Sequence, residues 1–196
     1  MINHKFELEK AVQGINYIIH KLKSNHIDKL DALKLIFLAD RYHLRKYGRL
    51  ITNDEYWAMT YGPVASSVKD IVGFDDYLSK FEKKYTTKYL KKYSKHQVSS
   101  IADVDFDVFS ETDIEALDMA IEQKLKHSDL VEFTHLFTEW KRHELTISNQ
   151  HKRVQMDLLD CFTNVDDNVE YCKVPQDELQ LNKEHYIDLL EFDKAW

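Results

Sequence analysis

Asp40 falls on the apolar stripe of a segment that reads Leu30, Leu33, Phe37, Asp40, Leu44 and Tyr47 at helical spacing. A carboxylate at such a position is costly unless it is paired or hydrogen-bonded. It is either a binding anchor or general base, or a structural group bonded to a tyrosine hydroxyl, an arginine or a backbone turn. No second carboxylate stands where the same face would offer an acid–base pair. His135, Glu139 and His143 follow one another at i, i+4 and i+8. Two imidazoles and a carboxylate on an unbroken helix would suit zinc. Trp140 and the polar run behind it argue against an unbroken helix, so neither a metal nor a cofactor is expected. Gly62-Pro63 lacks the glycines and the lysine–hydroxyl pair of a phosphate-binding loop. It reads as a rigid strand-to-helix turn. A nucleophile elbow, a glycine-rich nucleotide loop and an H-E-x-x-H pair are all absent, so catalysis has little support.

Aromatic residues offer a different chemistry. Tyr42, His43 and Tyr47 lie around one helix, and Tyr56, Trp57 and Tyr61 follow in the next turn and strand. Exposed tyrosines make good interface anchors because they bury much area at low rotamer cost; core packing is the competing account. The expected contact surface is Tyr42, His43, Tyr47, Tyr56, Tyr61 and Pro63. Residues 80–95 carry seven lysines against one acid, Glu82, with Tyr85, Tyr89 and Tyr93 interleaved. A solvated arm, a patch for an acidic protein and a single-strand binding surface all fit that pattern. The stretch has no arginine, which weighs against specific phosphate or base recognition.

The elements that must position these groups are mainly helical. Leu8, Val12, Ile15, Ile19 and Leu22 mark a first amphipathic helix, ended at Ser24-Asn25-His26. Asp28 can cap the next, which stops at Gly48 and forms a helical hairpin with the first. Residues 56–61 read as a short strand. Pro63 suits the first position of a helix carrying Val64, Val68 and Ile71. Residues 85–90 fit helix or strand equally, and Ile101 to Phe109 carry a weak strand signal. Ser110 caps a helix with Asp113 at the capping-box position, and a shorter helix follows Ser128. Residues 154–162 are expected to be helical, 164–175 an acidic loop, and 182–196 a final helix.

Composition bounds the rest. With 196 residues, net charge −7, four glycines and two prolines, the chain is an ordinary globular domain short of turn formers. A pI near 5.8 argues against a main task of gripping phosphates. Cys161 and Cys172 match no metal spacing and read as free thiols. No run of about 18 apolar residues could span a bilayer, so a soluble, cytoplasmic protein is expected.

Lys34-Leu35-Ile36-Phe37-Leu38-Ala39-Asp40-Arg41-Tyr42-His43, then Tyr47-Gly48-Arg49 and Met59-Thr60-Tyr61-Gly62-Pro63-Val64, resemble the Panacea domain, also called SocA-like. Residues 109–117 resemble that family's capped helix, and Thr134-His135 with Trp140 its threonine–histidine…tryptophan ending. The resemblance spans roughly residues 8 to 145. It implies a mainly helical domain with a small antiparallel β element over residues 1–150; residues 151–196 lie beyond the resemblance and are expected to form a helical extension packed on that domain. It further implies an antitoxin that neutralises a cognate toxin by direct binding. One branch of the family instead delivers its partner to a protease. The same resemblance gives Thr134-His135 a structural or interface place, and Asp40, His135 and Trp140 are expected to be structural, buried groups. A nucleic-acid-binding regulator is the remaining alternative, and the oligomeric state stays open.

Overall fold

The computed structural model describes residues 5–149, 152–164 and 171–194. In chain order the elements are α1 (Leu8–Lys21), β1 (His26–Asp28), α2 (Lys29–Tyr47), β2 (Tyr56–Met59), β3 (Gly62–Ala65), α3 (Ser66–Gly73), α4 (Lys80–Tyr89), β4 (Leu90–Lys92) and β5 (Gln97–Ser100). Then come α5 (Glu111–Lys126), α6 (Leu130–Thr134), α7 (Thr138–Lys141), α8 (Glu144–Asn149), β6 (Arg153–Gln155) and α9 (Gln176–Lys194). The architecture is mainly helical, as expected, with two three-stranded antiparallel sheets ordered β1-β5-β4 and β3-β2-β6.

α2 organises the molecule. It starts where the Asp28 side chain accepts the Leu30 N–H at 2.9 Å and ends at Gly48, whose φ is +69°. Those are the cap chemistries a helix needs at its two ends. Every residue from Ala32 to Arg45 is buried, so the helix is surrounded on all faces and runs through the middle of the core. α5 lies along it, and α1, α6, α9 and β3 complete the casing. α5 itself opens with a two-way capping box between Ser110 and Asp113.

Several local expectations fail for one reason: a partner distant in sequence takes over. His26–Asp28 does not simply end the first helix; it forms β1, in register with residues 97–99 of β5. The segment at 85–90 divides, helix to Tyr89 and strand from Leu90, because β4 pairs with β5. The strand lies at 97–100, ahead of the weak signal at 101–109, where residues 106–108 form a 3-10 turn. Pro63 does not begin a helix. It sits within β3, paired with Ala58. Asp54 instead receives the Ser67 and Val68 N–H groups at 2.9 and 2.8 Å, which sets the helix start at Ser66. The shorter helix expected after Ser128 does form, as α6, with Asp129 as its cap. Residues 153–155 form β6 on β2 and 158–162 a 3-10 turn, in place of one helix. The final helix starts earlier than expected, at Gln176. Residues 165–170 of the acidic loop, and Trp196, lie outside the described residues. The tail packs into the core through Tyr171, Leu179 and Tyr186.

Candidate functional site

Five charged or titratable side chains on α2 point into the core, and each meets a different segment. Lys34 Nζ donates to the Pro63 carbonyl at 2.8 Å, and burial pulls its pKa down to about 7. Asp40 Oδ1 accepts the Ile51 and Thr52 N–H groups at 2.6 and 3.0 Å, while Oδ2 accepts the Thr52 and Tyr56 hydroxyls, the latter at 2.7 Å. Burial pushes its pKa up, and those four bonds work in the opposite direction. They also fill the carboxylate's lone-pair positions, which leaves it no capacity to serve as a base. Arg41 pairs with Glu139 at 2.5 Å, both fully buried, with the guanidinium 3.9 Å over the Phe137 ring. Arg45 reaches the carbonyls of Cys161, Thr163 and Cys172 and the side chain of Asn164, which fastens the tail to α2.

His43 is the fifth. Its Nδ1 lies 2.9 Å from the Arg49 carbonyl and its Nε2 2.9 Å from Thr112 Oγ1. A carbonyl only accepts, so Nδ1 carries the proton and Nε2 accepts from Thr112. Burial brings the ring's pKa down to about 4 despite Asp113 at 3.3 Å, which keeps the ring neutral near pH 7.

The six residues expected to meet a partner divide sharply. Tyr42, His43, Tyr56 and Pro63 are buried and Tyr47 is half-buried. Tyr42, Tyr47 and Lys46 converge on Glu115, which locks α2 to α5. The Lys46 and Tyr47 bonds hold the Glu115 carboxyl down to about 2. Tyr61 alone of the six is well exposed, at 67%. Exposure of the others is thus corrected: carboxylates capture the hydroxyls of Tyr42, Tyr47 and Tyr56, His43 is held by Arg49 and Thr112, and Pro63 lies within β3.

Tyr61 stands on the β2–β3 turn, beside Gly62 with φ +92°. A Cβ on Gly62 would lie 2.8 Å from both Lys34 Nζ and Thr134 Oγ1, so α2, the turn and α6 close up only around a glycine. Trp140 Nε1 donates to the Met59 carbonyl at 2.9 Å, and the His135 ring stacks on Trp140 at 3.6 Å. Around this turn Thr60, Tyr61, Asp129, Leu130, Glu132 and His135 line a pocket of about 550 Å³.

The zinc spacing dissolves. α6, α7 and α8 are separate short helices, Glu139 turns to Arg41, and His135 turns to Trp140. Among the described residues no group of His, Cys, Asp and Glu is placed to hold a metal ion. Burial raises the pKa of both cysteine thiols. The lysine stretch forms α4, β4 and the turn into β5.

Lys34, Arg41, Arg45, Thr134 and Glu139 were not singled out from sequence as a connected set. The available signal was the density of charge within Lys34–Arg45, where an amphipathic helix with one wet face would keep cations to one side.

No curated protein and no solved structure matches the chain. Among the described residues no helix is long and apolar enough to cross a membrane. A family model described as antitoxin SocA-like, Panacea domain, matches residues 33–141, more than half of the chain, from the second residue of the buried α2 block to the last of α7. With Lys34, Asp40, Gly62, Thr134 and Trp140 all inside that match, the chain belongs to the SocA-like antitoxin family and carries its Panacea domain.

Proposed function

We propose that this protein is the antitoxin of a two-gene pair, acting in the cytoplasm by binding a cognate protein toxin and holding it inactive. Membership of the SocA-like antitoxin family carries the reading. The site chemistry supports it: Lys34, Asp40, His43 and Glu139, all capable of acid–base work, are buried and engaged in bonds that hold the fold. Aromatic surface is available instead at Tyr61, Tyr77, Phe81 and Tyr93. The chain on this reading works by occupying a surface, without turnover.

The test is co-expression with the product of the adjacent gene, scoring growth and co-purification. Toxicity of the neighbour alone, relief by this chain and joint elution are the expected results. Relief accompanied by disappearance of the neighbour, with no stable complex, would replace sequestration by delivery to a protease. A harmless neighbour that does not bind would overturn the antitoxin reading.

A further inference from the structure

The exposed cations and the exposed aromatics of this chain coincide. Tyr77, in the turn before α4, is 89% exposed, and Phe81, in the first turn of α4, 66%. Lys80, Lys84, Lys88, Lys91 and Lys92 continue the exposed surface to the β4–β5 turn, where Tyr93 is 55% exposed and stacks on His26 at 4.2 Å. Several lysines elsewhere are paired: Lys10 with Asp113, Lys46 with Glu115, Lys69 with Asp70, Lys124 with Asp31 and Lys126 with Glu122. Within residues 80–95, Lys83 pairs with Asp76, and no other of the seven lysines forms an ion pair among the described residues. Like charges crowd at the far end. The Lys29 pKa is lowered by burial and then by Lys92. A chain of net charge −7 thus gathers uncompensated positive charge in one strip.

The strip is also held rigid from behind. Ser79 and Glu82 form a two-way capping box at the start of α4. Thr86 and Tyr89 are buried, Tyr85 receives the Gln13 amide at 3.4 Å, and α4 packs on α1. Its outer face therefore needs no ordering to bind, which lowers the entropy cost of docking.

We infer that the outer face of α4 and the β4–β5 turn, from Tyr77 to Lys92, is the docking face for a protein partner that presents an apolar pocket rimmed by carboxylates. This rests on the function proposed above and identifies the toxin by its chemistry. Phe81 and Tyr77 are the anchors, and Lys80, Lys84, Lys88, Lys91 and Lys92 steer the acidic rim into place. A nucleic-acid backbone fits less well. The strip from Tyr77 to Lys92 holds no arginine, the side chain best shaped for paired bonds to a phosphate.

The experiment uses the full chain and the adjacent-gene product. Tyr77→Asp with Phe81→Asp, and separately Lys84→Glu with Lys88→Glu, are compared with wild type for growth rescue, affinity and thermal unfolding. The aromatic pair is expected to weaken the complex by roughly thirtyfold or more. The lysine pair should slow association about tenfold and flatten its salt dependence. Both variants should unfold at the wild-type temperature, because none of the four side chains is buried. Rescue and binding at wild-type strength in both variants would overturn this docking face and leave the antitoxin reading standing. If wild type itself neither rescues nor binds, the antitoxin reading falls and this inference falls with it. Loss of DNA or RNA binding in the lysine variant, with toxin binding intact, would assign the strip to nucleic acid and overturn it too.

Discussion

α2 and α4 are both rich in charged and aromatic residues and use them in opposite ways. In α2, Lys34, Asp40, Arg41, His43 and Arg45 are all buried, and each reaches a partner elsewhere in the chain, from Arg49 to Cys172. In α4, lysines and a phenylalanine face water, and only Lys83 among those lysines has a carboxylate partner among the described residues. The difference teaches that charge density along a helix does not by itself report function. Buried and paired, it specifies which segments assemble around the helix. Exposed and uncompensated, it leaves binding energy for something outside the chain.

The comparison can be broken most forcefully at the Arg41–Glu139 pair. Glu139→Ala leaves a buried guanidinium unpaired and should cost about 3–5 kcal/mol in chemical denaturation. Replacing both partners, Arg41→Met with Glu139→Leu, should recover most of that loss. If the double variant is no more stable than Glu139→Ala, the pair does not act as a unit.

A comparable effect comes from acid. His43 is neutral when folded, with a pKa near 4, against about 6.5 when unfolded. Between those values the unfolded chain binds more protons, so stability falls as pH drops from about 6.5 to 4, by up to roughly 3 kcal/mol. Asp54, raised to about 6 by burial, works the other way over much of this window. The contribution of His43 is therefore read as the difference between wild type and His43→Gln, whose amide can still donate to the Arg49 carbonyl. Parallel pH profiles for the two proteins would contradict the neutral assignment.

A smaller loss is expected at Gly62. Alanine there meets Lys34 and Thr134 and must hold φ at +92°. About 1–2 kcal/mol should disappear from the unfolding free energy. The smallest effect sharpens the contrast: Lys84→Ala should change stability by less than about 0.5 kcal/mol. A larger change would mean that α4 contributes to the core in a way its exposure conceals.

Much of this could be read from sequence where the chemistry is local. Asp28, Gly48 and the Ser110–Asp113 box lie within a turn of the backbone groups they serve, so the bounds of α2 and the start of α5 were legible. β1 and β6 were not, because a three-residue strand is defined by its partner, here β5 and β2. The start of α3 was hidden for a related reason, since Asp54 caps it from across β2 and β3. At the site, the cost of a carboxylate at Asp40 was visible, whereas the burial of Tyr42 depends on Glu115 and that of Tyr56 on Asp40 itself. An aromatic residue does not announce which carboxylate will claim it. The exposed pair Tyr77 and Phe81 could be placed only once α4 had been seen to turn Thr86 and Tyr89 inward.

The guanidinium of Arg45 bears on how the protein is made. Its acceptors are Cys161, Thr163, Asn164 and Cys172, and α9 covers the end of the same helix through Asn182, which donates to the Arg45 and Lys46 carbonyls at 2.9 Å each. During translation α2 leaves the ribosome long before any of these groups exist. A nascent chain with most of the domain already synthesised would still hold a bare cation where the finished molecule is dry. Completion of the centre thus waits on the final segments to emerge, and a prematurely terminated product is expected to be a substrate for proteolysis and not a working fragment.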